Sequence, residues 1–346
     1  MRPARVTDAM PRVSVIIPAF NAEATLVEAV QSVEAQTYSD WEIVVADDAS
    51  TDGTAAVAEG FGGRVKLVRC SENRGPGPAR NAAIEASQGE LLALLDADDY
   101  WLPEFLSEQV ALYDHTEAQS PGVGIVGSDA LILGPDGMAT GTYRDRAQVA
   151  EPMTLSEMLV GCPILTNTMV IPRAAFDEVG GFAPECLRAE DHDLFMRLAE
   201  LGYAVAYNNK PLVVYRIHHQ SVSLDVATMA HYSALVYQRA LDRGKLGRRD
   251  RRIARGRLRV HTMVEDLARL EQEPSTGPLN SIGRYARLGI RAIPLALESP
   301  RRALRLLGRS RKRSGGISGG VAYEHNSLIF DQRADDPPGK SFGDPN

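Results

Sequence analysis

The sequence contains little cysteine and no long hydrophobic run. Its three cysteines, Cys70, Cys162 and Cys186, are odd in number and widely separated in a chain of 346 residues. They form neither a disulfide framework nor a zinc site, and they favour a reducing, cytoplasmic compartment. No stretch approaches the roughly 18 apolar residues of a membrane span. Residues 1–11 carry arginines without a following apolar core, so we expect a flexible N-terminus and no signal peptide.

Charge is distributed unevenly along the chain, which carries a net charge of -7. Residues 1–225 contain 15 Lys and Arg against 33 Asp and Glu, a balance of -18. Residues 226–313 contain 21 against 7, a balance of +14. The acidic part suits metal chemistry, and the basic part suggests peripheral contact with anions such as the headgroups of an anionic membrane. Because aromatic residues are not interleaved with the Lys and Arg, we expect no nucleic-acid partner.

Short apolar runs alternate with helical patterns through the first hundred residues, which predicts a parallel sheet with right-handed crossovers. We predict strands over residues 12–18, 41–46, 65–68 and 91–95, and helices over residues 24–36, 55–59 and 79–86. The glycine-rich loop of dinucleotide-binding proteins is absent after the first strand, where Pro18-Ala19-Phe20-Asn21 stands instead. A Walker A lysine loop is absent too. Nicotinamide binding is therefore disfavoured.

Two of these predicted strands end in clustered carboxylates. Asp47 and Asp48 follow the second strand, and Asp96, Asp98 and Asp99 follow the fourth. In open α/β sheets ligands bind at the carboxyl ends of the strands. Carboxylates gathered there repel one another unless a cation lies between them, and Mg²⁺ or Mn²⁺ commonly bridges carboxylates and phosphates. We therefore expect a metal–diphosphate site at Asp96 and Asp98, the alternative being an ordinary turn.

The remainder of the chain is predicted to mix strands and helices. We predict helices over residues 101–114, 173–179 and 226–273 (one or two in this last range), strands over residues 123–127, 130–133, 166–171 and 211–216, and irregular structure over residues 138–160. A further helix begins in the acidic segment Ala189-Glu190-Asp191-His192-Asp193. Carboxylates at a helix start are favoured by the macrodipole, so simple capping is one interpretation of this segment. Asp193 and Arg197 have the spacing of an ion pair on one helix face.

Several ordered motifs, from about Val13 to about Ser223, resemble those of family 2 glycosyltransferases with the GT-A fold. The resemblance implies a Rossmann-like, mostly parallel sheet flanked by helices, followed here by a C-terminal helical extension. The matching segments are Val13-Ser14-Val15-Ile16-Ile17-Pro18-Ala19-Phe20-Asn21, Ser32-Val33-Glu34-Ala35-Gln36-Thr37-Tyr38, residues 42–54, Ala79-Arg80-Asn81, Leu94-Leu95-Asp96-Ala97-Asp98-Asp99, residues 189–198, and Tyr215-Arg216 with His218, Ser221 and Ser223.

The resemblance also implies a donor site for a nucleotide-diphosphate sugar. Asp48 would accept a hydrogen bond from the base, as a uracil N–H would offer, and Phe20 would lie near the base. Asp98 would bind Mn²⁺ or Mg²⁺, Asp96 would contact the ribose or the metal, and His218 would complete the metal site or contact the phosphate. The implied nucleotide-sugar-binding residues are Pro18, Ala19, Phe20, Glu23, Asp48, Arg80, Asp96, Ala97 and Asp98. The alternatives are core packing for Phe20, a solvated helix face for Arg80 and a surface loop for His218.

Asp191 would be the general base and Glu190 would orient the acceptor. The implied reaction is single displacement with inversion, in cell-envelope or exopolysaccharide synthesis, on a glycan, lipid-linked or small-molecule acceptor. The Gln-x-x-Arg-Trp motif of processive synthases is absent, so we expect addition of one sugar. Two alternatives are a sugar-1-phosphate nucleotidyltransferase, whose glycine-rich basic loop is missing here, and a non-catalytic homologue that still binds nucleotide sugars.

The expected domain organisation follows the motifs and the charge. Residues 12–225 form the catalytic domain, with a nucleotide-binding half at 12–100 and an acceptor half at 101–225. Residues 226–313 form a basic helical extension, and residues 314–346 a disordered tail. The basic amphipathic pattern over residues 282–313 fits either an interfacial helix on an anionic membrane or a helix packed on the catalytic domain.

Overall fold

The structure, a computed structural model, describes residues 10–147, 153, 155–160, 164–217 and 225–272. Among these residues no helix has both the length and the apolar character needed to cross a bilayer. Several predictions lie outside the described residues: those for Cys162, His218, Ser221, Ser223, residues 1–9, the pattern over 282–313 and the tail.

The described residues form a mixed α/β fold, which confirms the predicted class. The strands are β1 (Val13–Ala19), β2 (Trp41–Asp47), β3 (Val65–Arg69), β4 (Leu91–Leu94), β5 (Tyr100–Trp101), β6 (Val123–Leu133), β7 (Ala139–Thr142), β8 (Val170–Pro172) and β9 (Ala204–Arg216). The helices are α1 (Leu26–Glu34), α2 (Thr54–Gly60), α3 (Pro76–Ala86), α4 (Phe105–Gln119), α5 (Tyr143–Ala147), α6 (Leu155–Val160), α7 (Arg173–Val179), α8 (Glu190–Glu200), α9 (Val226–Asp242) and α10 (Arg248–Gln272).

The N-terminal half of the sheet is parallel, as the alternation predicts. Strands β3, β2, β1 and β4 are neighbours in that order, and all three pairings are parallel. Strands β1 and β4 are buried along their whole length, which explains their continuous apolar sequences. Their carboxyl ends consequently lie along one edge of the sheet, with Pro18 paired to Ala46 and Ile16 paired to Leu94.

The second half of the sheet mixes both directions. Strand β8 runs antiparallel to β4 and β6, whereas β6 and β9 are parallel. Within the described residues the sheet has the order β3-β2-β1-β4-β8-β6-β9-β5, with β7 paired to β6. The parallel arrangement is therefore confined to the first four strands and the β6–β9 pair.

Three local predictions are corrected by the structure. Strand β6 is continuous across Ser128 and Asp129, because both side chains are buried within the sheet instead of forming a turn. Tyr100–Trp101 pairs with β9 before helix α4 begins, so the predicted helix start is displaced. The segment expected to be irregular contains β7, α5 and α6. In contrast, helix α7 has its predicted bounds and ends at Gly180, whose φ is 80°.

The apolar core lies on both faces of the sheet. One cluster packs α1 and α4 against one face, and a second packs α3, α7 and α8 against the other. A third cluster joins α6 and α8 to α9 and α10, with Tyr237 fully buried at its centre. Helix α8 therefore lies between the sheet and the C-terminal helices, in contact with both.

Candidate active site

The loops that follow β1 and β2 are locked together at the carboxyl edge of the sheet. The Asn21 side chain accepts a hydrogen bond from the Thr51 amide at 2.9 Å, and the Ala22 amide donates to Thr54 Oγ1 at 2.7 Å. The Glu23 carboxylate accepts from the Gly53 amide at 2.9 Å. A Cβ at Gly53 would approach Glu23 Cδ to 2.6 Å, so a larger residue there would displace the Glu23 carboxylate. Glu23 is thus a structural clamp in this arrangement as well as a candidate ligand.

The residues predicted around the base differ sharply in exposure. Phe20 is 48% exposed at the end of β1, which excludes the core-packing alternative for its ring. Pro18, Ala19 and Ala97 are buried and lie at the same sheet edge or immediately beyond it. Phe20 therefore projects from a rigid buried backbone and is free to meet a ligand with its apolar surface.

The Asp48 carboxylate is buried at this edge and bound by backbone amides. Its Oδ2 accepts from the Gly75 amide at 2.8 Å, and its Oδ1 accepts from the Arg74 amide at 3.1 Å. Its own amide donates to the Ala19 carbonyl at 2.8 Å, which joins the ends of β1 and β2. A carboxylate offers about four lone-pair positions, so an acceptor position remains for a ligand N–H.

Arg80 bonds to one carboxylate from each of two clusters. These carboxylates are Asp96 and Glu190, which are 94 residues apart in the sequence. Its Nη2 donates to Asp96 Oδ1 at 2.5 Å and its Nη1 to Glu190 Oε1 at 2.6 Å. The Arg80 side chain is 4% exposed, which excludes the solvated-face alternative. Its guanidinium also lies over the Phe182 ring, 5.6 Å from the centroid. Burial lowers the pKa of Arg80, but the negative charges of Asp96 and Glu190 have the larger effect, so the pKa of Arg80 is raised above its usual value.

The loop after β4 carries three carboxylates with different roles. Asp99 is buried and accepts from Asn167 Nδ2 at 2.5 Å and from the Arg216 amide at 2.8 Å. It therefore fastens the end of β9 to this loop. Asp96 is 28% exposed, so a ligand has access to it, and the Asp99 amide donates to its carbonyl in a turn. The turn and the ligand-site interpretations of this loop are thus compatible.

The electrostatics of this region favour a bound cation. Burial raises the pKa of Asp96, and the charges of Asp98 and Asp191 add to that increase against the opposing charge of Arg80. Burial, with the charges of Asp98 and Asp96, also raises the pKa of Asp99. The region holds five carboxylates, those of Asp96, Asp98, Asp99, Glu190 and Asp191, beside the guanidinium groups of Arg80 and Arg216, so a divalent cation would relieve the remaining repulsion.

The donor set fits a metal that is shared with a phosphate ligand. Within the described residues no three His, Cys, Asp or Glu side chains form a complete metal-binding group. Mg²⁺ is usually held by one or two carboxylates together with substrate phosphates, which is what Asp96 and Asp98 could provide. The expected third ligand, His218, lies outside the described residues.

Glu190 and Asp191 open helix α8 and occupy different environments. Burial raises the pKa of Glu190 to about 7 even though Arg80 opposes this shift. Asp191 is half-buried, and its Oδ2 accepts a hydrogen bond from Thr166 Oγ1 at 2.7 Å. Its Oδ1 accepts from the His192 amide at 2.6 Å. The Asp191 carboxylate is thus held in one orientation while remaining accessible.

Helix α8 is anchored on its other side by a buried ion cluster. Asp193 is fully buried and accepts from Arg197 at 2.7 Å, which confirms the predicted pair. It also accepts from Arg239 on α9 at 3.1 Å and from Arg243, the residue that follows α9, at 3.2 Å. These two contacts were not predicted, because they join residues 46 and 50 positions apart.

Thr166, Asn167 and Arg216 were also missed as supports of the site. Thr166 and Asn167 belong to no motif, and only their contacts with Asp191 and Asp99 reveal a role. Arg216 belongs to the Tyr215-Arg216 motif, and its guanidinium donates to the Asp98 carbonyl and to Glu28. The motif could have suggested that Arg216 secures the loop after β4.

Comparison with known proteins finds two family models that together span residues 14–258. Residues 14–132 match "Glycosyl transferase family 2", and residues 91–258 match "Glycosyl transferase family group 2". EpsE of Bacillus subtilis, provisionally named a glycosyltransferase, is 30% identical over 61% of this chain and 74% of its own length. TuaG of the same organism, provisionally named a teichuronic acid biosynthesis glycosyltransferase, is 28% identical over 67% and 90%.

A third relative has a fully specified reaction in its name. It is the UDP-Glc:α-D-GlcNAc-diphosphoundecaprenol β-1,3-glucosyltransferase WfaP of Escherichia coli, 27% identical over 62% of this chain and 80% of its own length. Two other relatives are named for the biosynthesis of teichuronic acid, in TuaG, and of amylovoran, in AmsB of Erwinia amylovora.

Two solved glycosyltransferase structures have a fold similar to that of this chain. The mannosyltransferase PcManGT of Pyrobaculum calidifontis, in complex with GDP-Man and Mn²⁺, has a TM-score of 0.60 and is 19% identical; the match covers 95% of this chain and 88% of PcManGT. TarS 1–349 of S. aureus, in complex with UDP-GlcNAc, has a TM-score of 0.56 and is 22% identical over 73% and 72%. With this GT-A-type sheet, with family models that match from β1 into α10, and with a relative that is 30% identical, the chain belongs to glycosyltransferase family 2.

Proposed function

We propose that this protein is an inverting, metal-dependent glycosyltransferase that moves one sugar from a UDP-type nucleotide sugar to an acceptor hydroxyl. The proposed setting is cell-envelope or exopolysaccharide glycan synthesis on the cytoplasmic side of the membrane. The relatives with cell-envelope names support the setting. The UDP named in WfaP and bound in the TarS complex supports the donor class. The diphosphoundecaprenol in the name of WfaP supports a lipid-linked acceptor, reached by peripheral contact with the membrane.

One observation carries the proposal: Arg80 bonds to Asp96 and to Glu190 at the same time. This bridge holds the donor-side carboxylates beside the start of helix α8. Asp191 is close enough for its charge to raise the pKa of Asp96, together with the burial of Asp96 and the charge of Asp98. A donor diphosphate near Asp96 and Asp98 would therefore present its sugar towards Asp191.

Different residues of the site have different roles in the proposed single displacement. Asp191 accepts the proton of the acceptor hydroxyl while that oxygen attacks the anomeric carbon. The bond from this carbon to the diphosphate breaks, and its electron pair leaves with the nucleoside diphosphate. Thr166 holds the Asp191 carboxylate in the orientation needed for proton transfer. A Mn²⁺ or Mg²⁺ ion held by Asp96 and Asp98, with His218 as the expected third ligand, would neutralise the leaving diphosphate.

The roles on the donor side follow from exposure and hydrogen bonding. Phe20 offers its exposed face to the base, and Asp48 offers a remaining acceptor position to a base N–H. Glu190, held by Arg80, orients the acceptor beside Asp191. Pro18, Ala19 and Ala97 supply the buried backbone that keeps these groups in place.

The test compares Asp191→Asn with Asp114→Asn, a matched change at an exposed position on α4. Transfer from a UDP-sugar in the presence of Mn²⁺ should fall at least about 100-fold in Asp191→Asn, since a positioned base contributes 10²–10⁴-fold. Asp114→Asn should match the wild type. Unchanged transfer in Asp191→Asn would remove Asp191 from the role of base.

Nucleotide binding is tested separately by thermal shift with UDP, GDP, dTDP, CDP and NAD, each with and without Mn²⁺. Ligand at about 100 times its dissociation constant stabilises a protein by roughly 2.7 kcal/mol. We expect stabilisation by UDP that depends on the metal and is retained in Asp191→Asn. Stabilisation by GDP alone would change the donor class, and stabilisation by NAD alone would contradict the proposal.

A further inference from the structure

Helix α10 and the turn before it carry a concentrated positive charge. Between Arg243 and Val264 the sequence has nine Lys and Arg and one carboxylate, Asp250. Two of these nine cations face inward: Arg257 is 3% exposed, and Arg243 binds Asp193 and Glu200. The remaining seven are exposed: Lys245, Arg248, Arg249, Arg251, Arg252, Arg255 and Arg259.

Four of the exposed arginines lie in one row. Arg248, Arg252, Arg255 and Arg259 follow each other at intervals of four, three and four residues, the spacing that aligns side chains on one helix face. We call this set the α10 stripe. At 1.5 Å per residue the stripe is about 16 Å long. Arg249 and Arg251 lie on either side of it.

The opposite face of α10 is packed against the protein. Ala254, Val260 and Val264 are buried there. The buried ring of His261 stacks on Tyr237 of α9, with centroids 5.4 Å apart. The Asp250 carboxylate also lies on this side, where it accepts from Ser156 on α6 at 2.6 Å. The stripe therefore faces away from α8, the helix that carries the proposed base. Asp250, the carboxylate nearest to the stripe in the sequence, also faces away from it.

We infer that the α10 stripe docks the protein on an anionic lipid surface. Several arginines in one plane match a flat array of negatively charged headgroups, which attract each nearby Lys or Arg with an energy equivalent to about a fivefold gain in binding. Residues 1–225 have a charge balance of -18 and would be repelled by the same surface. The opposing charges therefore orient the protein so that α10 faces the lipid.

This inference adds an anionic lipid surface as a partner to the proposed function. It rests on the proposed function only where it assumes a lipid-linked acceptor. Such an acceptor stays in the membrane, so a transferase docked by the α10 stripe would meet it in two dimensions. The docking itself requires no transfer. Vesicle binding and nucleotide binding can therefore be measured independently on the same full-length protein.

The experiment is cosedimentation of the full-length protein with vesicles of phosphatidylcholine, alone or mixed with phosphatidylglycerol. The stripe variant is Arg248→Gln/Arg252→Gln/Arg255→Gln. The matched control is Arg64→Gln/Lys66→Gln/Arg69→Gln, which removes three exposed cations from the nucleotide-binding half. We expect the wild type and the control to bind only the anionic vesicles, and the stripe variant to bind them about 100-fold more weakly. Binding should disappear near 1 M salt, where the Debye length is about 3 Å.

Three results would overturn the inference: no binding of the wild type at low ionic strength, equal losses in the two variants, or binding to duplex DNA in place of vesicles. Thermal shift with UDP and Mn²⁺ serves as the second readout and should be the same in all three proteins. If vesicle binding follows the stripe while no nucleotide stabilises any of the proteins, the docking inference stands and the proposed function fails.

Discussion

The Nη1 atom of Arg243, the residue that follows α9, lies 3.2 Å from Oδ1 of Asp193 on α8. Asp193 is fully buried and is also bound by Arg197 and Arg239. Asp191, the proposed base, precedes it by two residues on the same helix. The C-terminal helices therefore fix the position of the helix that carries the base.

Removing the carboxylate of Asp193 should strongly destabilise the fold. Asp193→Ala leaves three guanidinium groups without their shared acceptor, and breaking a buried ion pair typically costs about 3–5 kcal/mol. The free energy of unfolding, measured with urea, should fall by an amount in this range. Asp242→Ala, at an exposed position on α9, is the control and should lie within about 0.5 kcal/mol of the wild type. Similar small losses in both variants would show that the cluster adds little stability.

The same cluster predicts a loss of stability in acid. Burial alone would raise the pKa of Asp193, but the charges of Arg197, Arg239 and Arg243 outweigh it and hold the pKa below its ordinary value of 3.8. A depressed pKa in the folded state contributes stability above the pKa of the unfolded state, and this contribution is lost as the pH falls through the folded pKa. The difference in melting temperature between the wild type and Asp193→Asn should be constant near neutral pH and shrink below about pH 4. A difference that grows on acidification would contradict the assignment.

Replacing Arg80 should affect both stability and chemistry. Arg80→Met leaves Asp96 and Glu190 without their cation, so we expect a loss of about 3–5 kcal/mol together with loss of transfer. Arg80→Lys restores a charge but not the fork that bonds to two carboxylates, so it should recover stability only in part. Urea unfolding and a transfer assay measure the two effects. Wild-type transfer in Arg80→Met would contradict the role of this bridge.

Phe20 should matter for binding and not for stability. Its ring is 48% exposed, so Phe20→Ala should change the free energy of unfolding by less than about 0.5 kcal/mol. If the ring packs against the base, the Kd for UDP should rise by about tenfold, the order expected for loss of one aromatic contact. Val27→Ala, at a 39% exposed position on α1, is the matched control and should leave the Kd unchanged. An unchanged Kd in Phe20→Ala would exclude contact with the base.

The sequence predicts the parts of the fold that local pattern controls. The first four strands and helix α7 follow from apolar runs and from the glycines that end them. The sequence predicts two separate strands, over residues 123–127 and 130–133, and only pairing with β9 shows that Ser128 and Asp129 lie inside one strand. Polar residues in a buried strand depend on partners that are distant in the chain.

The residues of the candidate site also fall into two groups: those that the sequence predicts and those whose role depends on tertiary contacts. Carboxylates at strand ends and at a helix start could be identified from the sequence, because their clustering is itself unusual. The burial of Arg80 could not be identified from the sequence, because a cation on a helix is ordinarily exposed. Its two acceptors also come from other parts of the chain. The contact of Thr166 with Asp191 likewise depends on tertiary structure, because no spacing relates the two residues.

The interlocked loops after β1 and β2 have a thermodynamic consequence. Thr51 and Gly53 donate to Asn21 and Glu23, so the wall beside Phe20 is ordered by the protein's own hydrogen bonds. The entropy of ordering these loops is lost once, during folding, and not again at each round of binding. This side of the pocket is preorganised, and a nucleotide that binds here should meet it as a rigid surface.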